Sequence, residues 1–140
     1  MQSPETVAEL ITARPDVSGM TNEPLVRAVE AAHACAQICL STADALLGLQ
    51  DQSLVQCIRL ALDSTDICYT TSVLATRRAG SNEQAIARML DVCEMMCRAC
   101  AEECDRHVER LDACRACAEA CRECEAACRQ ARPTVTEQLQ

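Results

Sequence analysis

Five cysteines, Cys114, Cys117, Cys121, Cys124 and Cys128, recur at intervals of 3, 4, 3 and 4 residues. At about 100° per residue, the five sulfurs fall within roughly 80° of one α-helical face. Cys93, Cys97, Cys100 and Cys104 repeat the pattern upstream, within roughly 60°. Nine of the 13 cysteines thus form two stripes at positions where packed helices ordinarily carry Leu and Ile. The spacing demands helices, and it demands that their buried seams be built from thiols.

The chain has 140 residues, enough for one domain. A cysteine content of 13 in 140 is usual in short disulfide-rich secreted chains, but three features oppose that class. The count is odd, so the cysteines cannot all pair within one chain. The start, Met1-Gln2-Ser3-Pro4-Glu5, shows neither the basic nor the apolar region of a secretory signal. Residues three or four apart on a helix have Cβ atoms about 5–6 Å apart, whereas a disulfide wants about 3.8 Å. The expectation is a cytoplasmic protein with reduced or metal-bound thiols. No run of 18 apolar residues is present, so no membrane span is expected. The net charge of −8 opposes nucleic-acid partners. With no Phe, no Trp and one Tyr, the core must come from Leu, Ile, Val, Ala, Met and Cys.

Helix signals divide the chain. Ser3-Pro4 opens a short helix over about 4–13, and residues 14–22 read as a connector. A first long helix runs from Asn22-Glu23-Pro24 to Leu47, with Gly48 as its stop, and carries Cys35 and Cys39 on its inner stripe. A second, N-capped by Asp51, runs to about Arg78 before Gly80. It carries Cys57 and Cys68, which are 11 residues and so about 20° apart. Ser81 to Gln84 has the form of a capping box opening the third helix, whose stripe runs from Ile86 and Met89 through the four cysteines to His107. A turn near 110–112 begins the fourth helix, which Pro133 should bound. The outer faces offer the pairs Glu94–Arg98, Glu102–Arg106 and Glu125–Arg129. Four helices joined by short connections predict an all-α, antiparallel up-down-up-down four-helix bundle. The expected organisation is an N-terminal helix and connector (1–22), the bundle (23–132) and a tail (133–140). His33 should face outward. Met89 should fill the core, and Met95 and Met96 should serve packing or an interface.

The cysteines decide the chemistry. Simple packing accounts for one or two buried thiols, not for nine at seam spacing. The runs C-x3-C-x2-C-x3-C and C-x2-C-x3-C-x2-C-x3-C lack the ferredoxin pattern and its trailing Pro. Structural zinc wants closed sites of four ligands, whereas lines of sulfurs supply pairs. Cu(I) prefers low coordination by soft thiolates. A linear S–metal–S unit spans roughly 4.5 Å, within reach of cysteines at i,i+4, if the Zn–S length serves as yardstick. Bridged one-to-one loading of Cu(I) on thiolates is nearly neutral, which an apolar core tolerates. The remaining alternatives are a thiol-based redox sensor or enzyme, and a zinc or iron–sulfur module. No catalytic constellation is visible, so no enzyme is expected.

These helical cysteine runs, the Cys-lined bundle and the near absence of aromatics resemble the bacterial copper storage proteins. The resemblance covers about residues 24–131 and is most specific from Cys93 to Cys128. It implies a cytosolic store for multiple Cu(I) ions, a homo-oligomer with a tetramer favoured, and all 13 cysteines as ligands: Cys35, Cys39, Cys57, Cys68, Cys93, Cys97, Cys100, Cys104, Cys114, Cys117, Cys121, Cys124 and Cys128. It also suggests that His107, at the end of the third helix beside Cys57 and Cys114, helps admit copper. A protein that delivers or accepts the copper is not identified by the sequence. With only two cysteines on each of the first two helices, this chain has fewer than the family pattern leads one to expect.

Overall fold

The computed structural model describes residues 4–12, 22–78 and 80–137. The expected cap Ser3, the connector over 14–21 and the tail beyond 137 lie outside the described residues. Five α-helices lie among the described residues: α1 (Pro4–Thr12), α2 (Glu23–Leu47), α3 (Val55–Ala75), α4 (Glu83–Asp105) and α5 (Asp112–Glu137). A single 3-10 turn, Gln52–Leu54, precedes α3, and no strand occurs among the described residues.

Each long helix packs against two others, α2 on α3, α3 on α4, α4 on α5 and α5 back on α2. That closes a four-membered ring around one axis. Cross-helix sulfur contacts fix the directions. Cys35 meets Cys121 while Cys39 meets Cys117, so α2 and α5 are antiparallel. Cys57 meets Cys104 while Cys68 meets Cys93, so α3 and α4 are too. Helix α1 lies on α2 and buries Val7 and Ile11. The expected antiparallel bundle with a short extra N-terminal helix is the fold observed.

The helix ends show where local signals decided. Asn22 caps α2, its Oδ1 accepting from the Leu25 amide at 3.0 Å, and its Nδ2 donates to Thr134 Oγ1 at 3.0 Å. This ties the start of α2 to the end of α5. α2 ends before Gly48 as expected, but Gly48 stays right-handed and the chain reverses at Gln50, whose φ is 53°. Asp51 caps the 3-10 turn rather than α3 itself; its Oδ1 accepts from the Ser53 amide and hydroxyl at 2.9 and 2.7 Å. Those two bonds hold its carboxyl below the usual range.

Four expectations are corrected. α3 stops at Ala75 rather than near Arg78. The box at Ser81–Gln84 shifts by one: Asn82 occupies the cap position, and the Glu83 carboxylate reaches back to accept from the Gly80 amide at 3.0 Å. Gly80, at φ 74°, provides the left-handed turn this needs. Arg106 pairs with Glu103 at 3.4 Å instead of Glu102. Pro133 does not end the last helix; α5 continues to Glu137. Val135, fully buried, and the Asn22–Thr134 bond supply tertiary anchorage that outweighs the helix bond proline removes.

The α4–α5 seam carries a charge cluster on its outer side. Glu94, only 7% exposed, binds Arg98 at 3.2 Å, Arg129 at 3.3 Å and Arg132. Glu125 joins Arg98 at 2.8 Å and Arg129 at 3.3 Å. The expected pairs Glu94–Arg98 and Glu125–Arg129 are thus parts of one network between two helices.

Candidate metal centre

All thirteen cysteines are unpaired, and each is 0% exposed. Helical spacing puts them on the inner faces, and closure of the ring brings the faces together. At one end, where α3 begins and α4 ends, Cys57 and Cys104 lie 3.5 Å apart. Further in, Cys39, Cys100, Cys117 and Cys121 form a four-sulfur set. Within it Cys39 is 3.5 Å from Cys117 and 3.6 Å from Cys121, and Cys100 is 3.8 Å from Cys117. A second set, Cys35, Cys68, Cys97 and Cys124, takes one sulfur from each long helix. Cys93, Cys124 and Cys128 close the column toward its far end. The sets are not separate. Cys35 lies 3.7 Å from both Cys39 and Cys121, joining the first to the second. Cys93 lies 3.7 Å from Cys68 and 3.6 Å from Cys124, joining the second to the third.

The separations bear on coordination. With metal–sulfur bonds near 2.3 Å, a linear unit spans about 4.6 Å and a trigonal one about 4.0 Å between sulfurs. Observed contacts run from 3.5 Å (Cys68–Cys97) to 4.0 Å (Cys124–Cys128). These contacts suit bent or three-coordinate sites, and the sulfurs of one set, all within 4.8 Å, also fall within the span of a linear unit. Pairs at i,i+4 do touch, as Cys35–Cys39 and Cys124–Cys128 show, but most contacts cross between helices. Periodicity alone could not reveal those cross-helix sets, because it gives the face of a helix and not its height against a neighbour.

Two buried hydroxyls on α3 are already engaged: those of Ser64 and Thr71 are donated to the Met96 and Ile67 carbonyls at 3.3 and 2.7 Å. Between Cys57 and Cys68 the inner face of α3 holds Ala61 and Ser64, so the sulfur wall is thinnest there. Burial disfavours thiolate: it pushes the Cys114 thiol up to about 12, with the nearby Cys57 adding to the effect. Deeper in, the thiol contacts divide the set. Cys104 is raised by its contact with Cys100, whereas Cys93 is lowered by its contact with Cys124.

His107 sits where its spacing placed it, beyond Cys104 at the same end as Cys57. It is 9% exposed, its amide donates to the Cys104 carbonyl at 2.9 Å, and its Nε2 lies 3.1 Å from Glu103 Oε2. Asp51 and Arg110 pair across that end at 3.4 Å. His33 is off the sulfur face, half-buried in a cavity with Val7, Val29 and Tyr69 outside the column. Met89 is also half-buried, and the opposite end is filled by Ile86 and Leu90. Met95 is 59% exposed and Met96 half-buried.

A helical bundle that gathers ten fully buried thiols into three linked sets, each within 4.8 Å, has the donor set to hold several soft metal ions. Residues 21–133 match the family model described as copper storage protein. The chain belongs to the copper storage protein family. Its structure is similar to that of the copper storage protein Ccsp from Streptomyces lividans loaded with 10 copper equivalents, with 36% sequence identity and a TM-score of 0.81, over 91% of this chain and 98% of that one. It is also similar to a cytosolic copper storage protein from Streptomyces lividans with five coppers, at 37% identity and a TM-score of 0.73, over 79% and 93% of the two chains. A histidine-to-alanine variant of Ccsp matches at 36% identity and a TM-score of 0.75, over 81% and 95%. None of the curated proteins matches the sequence. The resemblance read from the cysteine runs therefore holds, and copper storage is the function the family carries.

Proposed function

We propose that this protein stores Cu(I) in the cytosol, binding many ions through the thirteen core cysteines and performing no catalytic step. The observation that carries this reading is the buried sulfur core, in which thiols in contact lie 3.5–4.0 Å apart and three linked sets each keep their sulfurs within 4.8 Å of one another. Each Cu(I) that replaces a thiol proton leaves the local charge unchanged, so the column fills without accumulating buried charge. His107 stands at the end where Cys57, Cys104 and Cys114 begin the column and serves there as an accessory ligand for incoming copper. The cytosolic location follows the Streptomyces relative described as cytosolic. Assembly as a tetramer belongs to the same proposal, supported by the large apolar side chains exposed on α2 and α3, Leu40 at 52%, Leu62 at 40% and Tyr69 at 57%.

The test is an anaerobic titration of the reduced protein with Cu(I), followed by gel filtration and metal counting. Co-elution of copper on the order of one ion per thiolate is expected from bridging. Saturation at one or two ions per chain would sink the storage reading and point to a carrier or a redox sensor.

A further inference from the structure

We propose that Glu103 is a positioning residue for His107, fixing its ring so that Nδ1 is the nitrogen presented to an incoming Cu(I) ion. This rests on the reading of His107 as a ligand at the mouth. A neutral imidazole has one N–H donor and one lone-pair acceptor, and an ionised carboxylate only accepts. Nε2 lies 3.1 Å from Glu103 Oε2, so the proton of this bond is on Nε2. Nδ1 then carries the lone pair. A histidine whose second ring nitrogen is bound to a carboxylate is held in one orientation and is a more basic ligand.

The surroundings make the bond selective. The side chains of His107 and Glu103 are 10% and 11% exposed, so water competes poorly for either partner. Arg106 Nη1 takes the other carboxylate oxygen, Oε1, at 3.4 Å, which orients the carboxylate and leaves Oε2 for the ring. The backbone is fixed on both sides: the His107 amide donates to the Cys104 carbonyl at 2.9 Å, and the His107 carbonyl accepts from the amides of Arg110 and Leu111 at 3.2 and 3.0 Å. Helical spacing selects Glu103 over its neighbour Glu102. Four residues back lies on the same face as His107, and five back does not. A ring without this bond is free to rotate about χ2 and to exchange tautomers, so its lone pair has no fixed direction.

The test uses the full chain, reduced and anaerobic, with the variants Glu103→Ala, Glu103→Gln and His107→Ala. Two readouts are needed, with melting temperature as the check on fold. The first is the ring 1H–15N spectrum of His107 in the metal-free protein. The second is the rate of the first loading phase when Cu(I) is offered as a complex with a weak chromophoric chelator. A native Nε2–H resonance protected from exchange is expected, and it should be lost in Glu103→Ala. Loading should slow about ten-fold in that variant, the lower end of the usual effect of losing such a partner. Glu103→Gln retains an acceptor without the charge and should fall between native and Ala. If His107→Ala slows loading while both Glu103 variants load at the native rate, Glu103 has no positioning role and the mouth reading survives. If His107→Ala itself loads at the native rate, the mouth reading fails and the role of Glu103 with it.

Discussion

Replacing Cys124 with Ala and comparing it with Cys57→Ala separates a shared column from a row of independent sites. Both residues are fully buried, so in the copper-free protein the two changes should cost similar stability. Losing one methylene-sized group costs about 0.8 kcal/mol. A residual void on the order of 30 Å³ adds about 0.7 kcal/mol. Their roles in the column differ. Cys124 belongs to two sulfur sets, with Cys35, Cys68 and Cys97 on one side and Cys93 and Cys128 on the other. Cys57 contacts Cys104 at 3.5 Å, at the column's end. If thiolates are shared between ions, Cys57→Ala should lose about one copper and Cys124→Ala two or more. At free copper a hundredfold above the dissociation constant, each lost ion removes about 2.7 kcal/mol of stabilisation from the loaded state. The loaded Cys124→Ala protein should therefore be less stable than loaded Cys57→Ala by about 3 kcal/mol, although the copper-free proteins melt nearly together. Anaerobic metal counting and calorimetry at chelator-buffered Cu(I) provide the two numbers. Equal copper losses in the two variants would refute the shared column.

Four further outcomes are expected. Ala61→Cys, at a fully buried inner position of α3 between Cys57 and Cys68, should raise capacity by about one ion; unchanged metal counts would show that the thin stretch of the wall does not limit loading. The Cys114 thiol, at about 12 against the usual 9.0, keeps its proton in the folded chain where the unfolded chain loses it. The stability due to this group is thus whole below pH 9 and lost as pH rises toward 12, so the copper-free protein should melt progressively lower over that range; a flat profile would contradict it. Glu94→Ala removes the 7%-exposed anion that three partly exposed arginines share and should destabilise the copper-free protein by about 2 kcal/mol, with stoichiometry intact; denaturant unfolding and metal counting report the two together. Zn²⁺ should bind far fewer ions than Cu(I), because four thiolates around one divalent ion leave two buried negative charges, and Arg78, the buried arginine, is engaged with Glu83 at 3.5 Å; matching zinc and copper counts in parallel titrations would overturn that charge argument.

Much of this architecture was legible because the informative residues obey a period. Cys93 to Cys104 and Cys114 to Cys128 announce helix, face and burial at once, and all nine are fully buried. Relative height along the axis was not legible. That Cys39 meets both Cys117 and Cys121 is a matter of how high α2 stands against α5, and a helical repeat says nothing of that height. Local rules also failed where tertiary bonds outweighed them. Pro133 reads as a boundary, yet Thr134 bonds Asn22 of another helix and the last helix continues. Glu102 reads as the partner of Arg106, yet Glu103 holds it together with His107. The signal for Glu103 was present in its i,i+4 spacing to His107; what the sequence lacked was the burial that makes the pair count.

The sulfur distances also say how the interior changes on loading. Thiols in contact stand at 3.5–4.0 Å and those of one set within 4.8 Å, close to the roughly 4.0 Å between sulfurs that share a trigonal ion. For the thiols in contact, loading then calls for loss of protons and small shifts of the sulfurs. Two features of the chain favour that economy of movement. The column is walled by Ala28, Ala32, Ala43 and Ala61 rather than by aromatics, so no large side chain has to swing aside. The apolar residues that give the fold its grip, Leu25, Leu46, Leu54, Ile86, Leu90 and Val135, are fully buried and offer no ligand atom. Those residues hold the bundle without binding cargo, and the buried thiols and bound copper add to the stability they supply.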